Sequence, residues 1–305
     1  MASLLSASIY AVKITDHGYT IMHHMLVRLC LVVLLPASLS AEPLFDTHLH
    51  YNATHATQYS PQQIIAKLEH NGIKQAVVSG TPAAHTASLY RQAPAQIVPL
   101  LGVYRSPDDK IAWPHDTTLP ERVEAELNKG SWRGIGELHI FASDRHSPVF
   151  RRIIEIAAER RLPVQIHADP AVIDTLYEVS PSQPVIWAHA GTFPYPDLLA
   201  DYLQRYPALA IDLSVRDDRI APDGQISDDW YELFIRFPDR FMVGVDTFSL
   251  SRWQHFDAAV ATLRNWLGQL PDDVAKRLAH DNATAFFGQS ERKAPRPPDA
   301  GPGSD

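Results

Sequence analysis

Six residues able to bind a metal or move a proton fall at or near the ends of short apolar runs. His48 and His50 close residues 44–50, Glu137 lies within 133–139, and His167 closes 163–167. His189 closes 184–189 and Asp246 closes 241–246. If 44–50 is a strand, residues i and i+2 point to one side, so His48 and His50 face a common point. Two neutral imidazoles converging there suit a divalent transition metal, zinc first and manganese second. A lone histidine at a strand end is more often hydrogen-bonded structure, and Asp246 before Thr247 could simply cap a helix. The repetition carries the argument, because six such coincidences at corresponding positions point to a metal site.

The elements that must bring these residues together alternate in type. Strands are expected over 44–50, 74–79, 97–104, 133–139, 163–167, 184–189, 209–214 and 241–246. Helices are expected over 61–70, 84–92, 120–128, 149–160, 230–237 and 256–267, with a closing one over 273–287. Ser60 is placed to cap the first helix, which carries Ile64, Ile65 and Leu68 on one face. Pro99 is awkward in a central strand. Strands rich in Val, Ile and Leu suit a parallel sheet buried on both faces. Eight strands spread over about 245 residues match the scale of a barrel of roughly 250. The expected fold is therefore α/β, a single (β/α)8 TIM barrel over residues 42–288 with a closing C-terminal helix. An open doubly wound sheet is the rival, but no Gly-rich phosphate-binding turn follows the first strand. In a barrel the C-terminal strand ends share one rim, where the six residues would meet.

The composition bounds the partners. Of 305 residues 45% are hydrophobic and 20% charged, and the formal net charge of −8 comes without a long basic run. That excludes broad nucleic-acid binding, which needs a cationic footprint. Residues 1–41 read as an N-terminal extension and signal peptide. Arg28 precedes the apolar run 29–35 and the small-residue stretch 36–41. Met25 would begin a signal of ordinary length, and the run is too short to span a membrane. The expected location is periplasmic or secreted, with no membrane span in the mature protein. The single cysteine, Cys30, lies inside this segment, leaving no disulfide and no thiolate ligand. Residues 289–305, rich in Pro, Gly and charge, read as a disordered tail.

The motifs Asp46-Thr47-His48-Leu49-His50, Gly134-Ile135-Gly136-Glu137, Gln165-Ile166-His167, Trp187-Ala188-His189-Ala190-Gly191 and Gly244-Val245-Asp246, closed by 281–287, resemble the second amidohydrolase family of the amidohydrolase superfamily. The resemblance covers about residues 43–288. It implies a metal-dependent hydrolase or, less often, a decarboxylase, with His48, His50, His167 and Asp246 on a metal and His189 as ligand or base. Many members bridge two metals with a carbamylated lysine after the fourth strand. No lysine stands at an expected strand end here, and Glu137 is the substitute, as in TatD-like nucleases. A carboxylate that merely orients a histidine is the alternative for Glu137, and His139, pointing the same way, competes with it.

Arg105 and Arg216, after the third and seventh strands, could clamp a substrate carboxylate or be ordinary loop arginines. Trp187, Trp253 and Phe248 could form an apolar wall or simply be core. The expected activity is hydrolysis of a small ester, lactone or amide, with Asp246 and His189 as the proton-handling pair and one or two ions. A non-oxidative decarboxylase and a non-catalytic binder on the same barrel are the alternatives. The partner is a small molecule, and a homo-oligomer is left open.

Overall fold

The computed structural model describes residues 42–293. The expected signal peptide lies outside the described residues, as does the expected tail beyond 293. Among the described residues no helix is long and apolar enough to cross a membrane.

Strands and helices alternate eight times. The strands are β1 (Leu44–His50), β2 (Ile73–Ser79), β3 (Ile97–Leu101), β4 (Gly134–Ile140), β5 (Val164–Ala168), β6 (Val185–Trp187), β7 (Leu209–Asp212) and β8 (Phe241–Met242). Each is followed by a major helix: α1 (Pro61–His70), α2 (Ala84–Gln92), α3 (Leu119–Leu127), α4 (Pro148–Arg160), α5 (Pro170–Val179), α6 (Pro196–Arg205), α7 (Asp228–Arg236) and α8 (Phe256–Leu267). The closing helix is α9 (Asn282–Lys293). All strands run parallel in the order β1 to β8. Thr47 N donates to Val243 O at 2.9 Å and Asp246 N to His48 O at 2.7 Å, tying the β8 segment back to β1. The result is a (β/α)8 TIM barrel.

Local chemistry explains the elements. Ser60 Oγ accepts from Gln63 N and Gln63 Oε1 from Ser60 N, a reciprocal cap ahead of Pro61. Behind it Ile64 and Leu68 bury fully, each contributing roughly 1.5–3 kcal/mol. Helices α5 and α6 were not singled out by sequence pattern. Both begin at a proline, after Asp169 and Tyr195, where a missing N–H costs nothing. Inside the barrel, Phe45, Val77, Val98, Leu100, Ile186 and Met242 pack together with Ala283 and Phe287 of α9. Phe287 stacks on Phe45 at 5.9 Å, so the closing helix plugs the barrel at the end remote from the histidines.

Strands β3, β6, β7 and β8 stop at Leu101, Trp187, Asp212 and Met242, short of the expected 104, 189, 214 and 246. Beyond the last three, the backbone soon leaves the extended region. His189, Ala190, Val215 and Asp246 all have φ between 53° and 56°, outside the extended region. The chain turns where it delivers its polar side chains. Helix α9 runs to Lys293, into the segment that composition assigned to the tail.

Candidate active site

Every residue of β1 is buried, so its polar groups need partners. Thr47 Oγ1 donates to Val243 O, and Asp46 Oδ1 accepts the amides of His48 and Val245. His48 and His50 turn to one side, with their Nε2 atoms 3.2 Å apart. Their other nitrogens are engaged: His48 Nδ1 lies 2.6 Å from Asp212 Oδ2, and His50 Nδ1 2.9 Å from Ser79 Oγ. A neutral imidazole that donates through Nδ1 presents a lone pair at Nε2. Two such lone pairs this close repel unless a proton or a cation lies between them.

Acidic groups close the same space. Asp246 Oδ1 is 3.3 Å from His50 Nε2 and 3.8 Å from His48 Nε2. Glu137 Oε2 is 3.4 Å and 3.6 Å from the same two atoms. Its other oxygen, Oε1, lies 3.0 Å from His189 Nε2 and 3.6 Å from His167 Nδ1. Thus all six residues expected from the sequence meet. Three ligand triads form: His48–His50–Asp246, His48–Glu137–His189 and Glu137–His139–His167, each with donor atoms within 4.8 Å. Asp246 Oδ1 and His167 Nδ1 are buried with no hydrogen-bond partner, although both face the cluster. A buried polar atom left unpaired costs about 1–3 kcal/mol, so these two call for a ligand of another kind. Imidazole and carboxylate donors converging with unpaired atoms fit a divalent cation.

The electrostatics agree. Burial pushes the His48 imidazole down, but Asp246, Asp212 and Glu137 outweigh it and hold its pKa well above the ordinary value. Burial would raise Asp246, yet His48, His50 and His189 bring it down to about 2. Glu137 is likewise held well below the usual carboxylate range against its burial, chiefly by His139 and His48. Asp46 differs: burial, with the nearby Asp212 charge, lifts it to about 7. The site is an anionic cage that selects positive charge.

The framework is specific to these residues. Gly136 precedes Glu137 with φ at 146°, and a Cβ there would meet Gln165 O at 2.5 Å. Only glycine allows β4 to approach β5 so closely while presenting Glu137. His189 and Asp246 adopt left-handed backbone at φ 56°, which costs an L-residue roughly 1–2 kcal/mol. Arg216 braces the first of these turns, donating from Nε to His189 O at 2.6 Å and from an Nη to Gly191 O at 2.9 Å.

Both arginines singled out as substrate clamps are therefore engaged within the protein. Arg105 is largely exposed and pairs with Asp109 at 3.2 Å. Trp187 and Trp253 are core, bonded through Nε1 to Ala168 O and His50 O, whereas Phe248 is half exposed.

Asp212, Ser214, Ser79 and Lys110 have no assigned role in the sequence, whereas His139 is expected there to compete with Glu137. Asp212 holds His48, and Ser214 Oγ links Asp212 Oδ2 to His189 Nδ1, at 2.9 Å on each side. Ser79 holds His50. His139 Nε2 lies 2.7 Å from Glu137 Oε2, and its ring stacks on His167 at 4.5 Å. Lys110 Nζ reaches the same His139 Nε2 at 3.2 Å. Asp212 lies inside the run expected over 209–214 and ends the strand only in the folded chain.

The amidohydrolase family profile matches residues 111–289, more than half of the chain. No curated protein matches. Among solved structures, the chain is similar to a probable 2-pyrone-4,6-dicarboxylic acid hydrolase from Acinetobacter baumannii with citric acid bound. The identity is 18%, the match covers 80% of this chain and 99% of that one, and the TM-score is 0.55. It is also similar to a zinc-bound amidohydrolase from Burkholderia multivorans, at 14% identity over 81% of this chain and 99% of that one, with a TM-score of 0.54. A TatD homologue from Escherichia coli matches at 15% identity over 80% and 98%, with a TM-score of 0.57. At these identities the structures share the fold. The profile match carries the family: the chain belongs to the amidohydrolase family, whose members are metal-dependent hydrolases and lyases.

Proposed function

We propose that the protein hydrolyses a small ester, lactone or amide with the help of one or two divalent cations, zinc in first place. The observation that carries this reading is the convergence of His48, His50, Glu137, His167, His189 and Asp246 with two buried donor atoms unpaired. His48, His50 and Asp246 would hold one ion. Glu137, with His167 and His189, would hold a second and lie between the two. A bound cation of this kind lowers the pKa of its water from 15.7 to about 7 and polarises a carbonyl.

The chain's own groups do the rest. Asp246, ionised at neutral pH, takes the proton of the attacking water and passes it to the leaving group. Where a second ion is bound, His189 Nε2 would be spent on it; where only one is bound, His189, fixed through Nδ1 by Ser214, would turn Nε2 to the oxygen that gains charge. The test is metal analysis combined with turnover in labelled water. The reading requires bound metal, label in the product, and a loss of several orders of magnitude in Asp246→Asn with the fold intact. Wild-type metal content in both His48→Ala and His167→Ala would reject it.

A decarboxylase is the second reading, favoured by Lys110. Among the described residues no carboxylate pairs with its ammonium, which borders Glu137 through His139 and could hold a substrate carboxylate. Release of carbon dioxide without label would promote it. Export is proposed from the signal-like segment, with cleavage near Ser40 or Ala41. An intact terminus upstream of Met25 on protein recovered from the cytoplasm would refute it.

A further inference from the structure

A small space of about 10 Å³, room for about one water, lies beside the cluster between His50, Glu137, His139, Tyr104 and Lys110. A substrate larger than this that reaches the cluster also meets the loops that follow the C-terminal strand ends.

That rim is apolar. Among the described residues the exposed large hydrophobic side chains are few, and five follow C-terminal strand ends: Ile111 after β3, Phe141 after β4, Phe193 and Tyr195 after β6, and Phe248 after β8. They are 47% to 81% exposed. The others, Tyr231 and Ile235, lie on α7. The three phenylalanines sit two to four residues beyond a member of the cluster: Phe141 after His139, Phe193 after His189, Phe248 after Asp246. Two of the loops are joined by one carboxylate. Asp169 Oδ2 accepts from Ala142 N at 2.8 Å, and Asp169 Oδ1 from Thr192 Oγ1 at 2.9 Å. Those residues adjoin Phe141 and Phe193, so the bridge draws the two loops together. Exposed aromatic surface beside a catalytic mouth is costly in water and gains by being covered.

Resting on the hydrolase reading, we propose that the substrate carries an extended apolar body, an acyl chain or aryl ring, which lies outside the cavity against Phe141, Phe193 and Phe248. Asp169 is the positioning residue for the first two. The occupant is the substrate rather than a second copy of the chain, because the three phenylalanines follow the strand ends that carry the cluster, each two to four residues beyond one of its members.

The test compares p-nitrophenyl acetate with p-nitrophenyl octanoate on metal-loaded protein. Binding of the neutral fluorophore N-phenyl-1-naphthylamine provides a readout free of turnover. The wild type is expected to favour octanoate in kcat/KM by about tenfold or more, the low end for an added apolar contact. The Phe141→Ala/Phe193→Ala double variant, and separately Phe248→Ala, should collapse that ratio and weaken fluorophore binding, with an unchanged circular dichroism spectrum. Fluorophore binding that octanol displaces and the variants lose, without hydrolysis of either ester, would support the apolar site and refute the hydrolase reading. Equal acetate and octanoate rates with unaltered fluorophore binding in the variants would overturn the inference. So would a wild-type dimer that the double variant abolishes while fluorophore binding persists, which would give the face to a second copy.

Discussion

Asp212→Asn is the sharpest perturbation the site offers, because it changes one atom on a residue that touches no ligand position directly. Asp212 is fully buried, and its two oxygens do different work. Oδ1 accepts from Ser214 N at 2.8 Å, while Oδ2 faces His48 Nδ1 at 2.6 Å, Ser214 Oγ at 2.9 Å and His189 N at 3.3 Å. An asparagine that keeps its oxygen toward Ser214 N must turn its NH2 toward His48 Nδ1, placing donor against donor. His48 escapes only by moving its proton to Nε2, the atom that faces His50 and Asp246 and should bear a lone pair. Outer partners of this kind are worth about 10–100-fold in metal affinity, or about 1.4–2.7 kcal/mol. The reversed tautomer places Asp212→Asn toward the upper end. Asp212→Ala, which removes the acceptor without adding a donor, should lose less affinity and more stability. Competition against a chromophoric zinc chelator measures the first, and urea denaturation the second. Zinc affinity within twofold of wild type in Asp212→Asn, with the fold intact, would refute the assignment of His48 Nε2 as the metal-facing atom.

Three further outcomes follow from the geometry. Glu137→Gln should reduce bound metal from two ions to one per chain; one ion in both proteins would reassign Glu137 as an orienting group and His189 as acid–base only. Arg216→Met should lower kcat and the urea midpoint together, because it releases the carbonyls of His189 and Gly191, and charged hydrogen bonds are worth about 1.5–3 kcal/mol each. A rise in KM alone would instead restore Arg216 as a substrate clamp. Asp217, raised by burial although it accepts from Trp266 Nε1 at 2.8 Å, disfavours folding when ionised. A raised carboxyl contributes stability below its unfolded pKa and loses it as pH rises through the folded one. Asp217→Asn should therefore be more stable than wild type at pH 7, the gap narrowing toward pH 4, and a constant gap would show that its charge is not the cause.

The barrel was legible because hydrophobic periodicity and strand burial are local properties. Runs such as 44–50 and 164–168 are buried on both faces and look it. The ends of β6 to β8 were not legible to the residue. His189, Val215 and Asp246 leave the extended region at positive φ, and no pattern of side chains announces a left-handed turn at a non-glycine. Helices α5 and α6 are absent from the expected set although each opens with a proline, a signal of position rather than of periodicity. Arg105 and Arg216 mark a different limit. Placement on the rim is readable, but a guanidinium's actual partners are not, and here they are Asp109 and two backbone carbonyls.

The same limit separates ligands from the groups that orient them. Asp212 ends β7, and Asp246 follows β8 on the same rim; in sequence one lies inside the apolar run 209–214 and the other closes 241–246. In the folded chain Asp246 faces the Nε2 atoms of His48 and His50, and its Oδ1 is left unpaired. Asp212 faces the opposite edge of the His48 ring, and both its oxygens are saturated by protein donors. Asp212 is spent on protein donors, whereas Asp246 keeps an unpaired oxygen turned toward imidazole nitrogens, where a cation could take it up. The difference lies in which ring nitrogen each aspartate meets, a distance of an imidazole's width. It depends on the left-handed turn at Asp246 and the serine two residues beyond Asp212. Side-chain type and spacing point to where a cation would sit; the hydrogen-bond partners distinguish the carboxylate that could bind it from the one that orients a histidine.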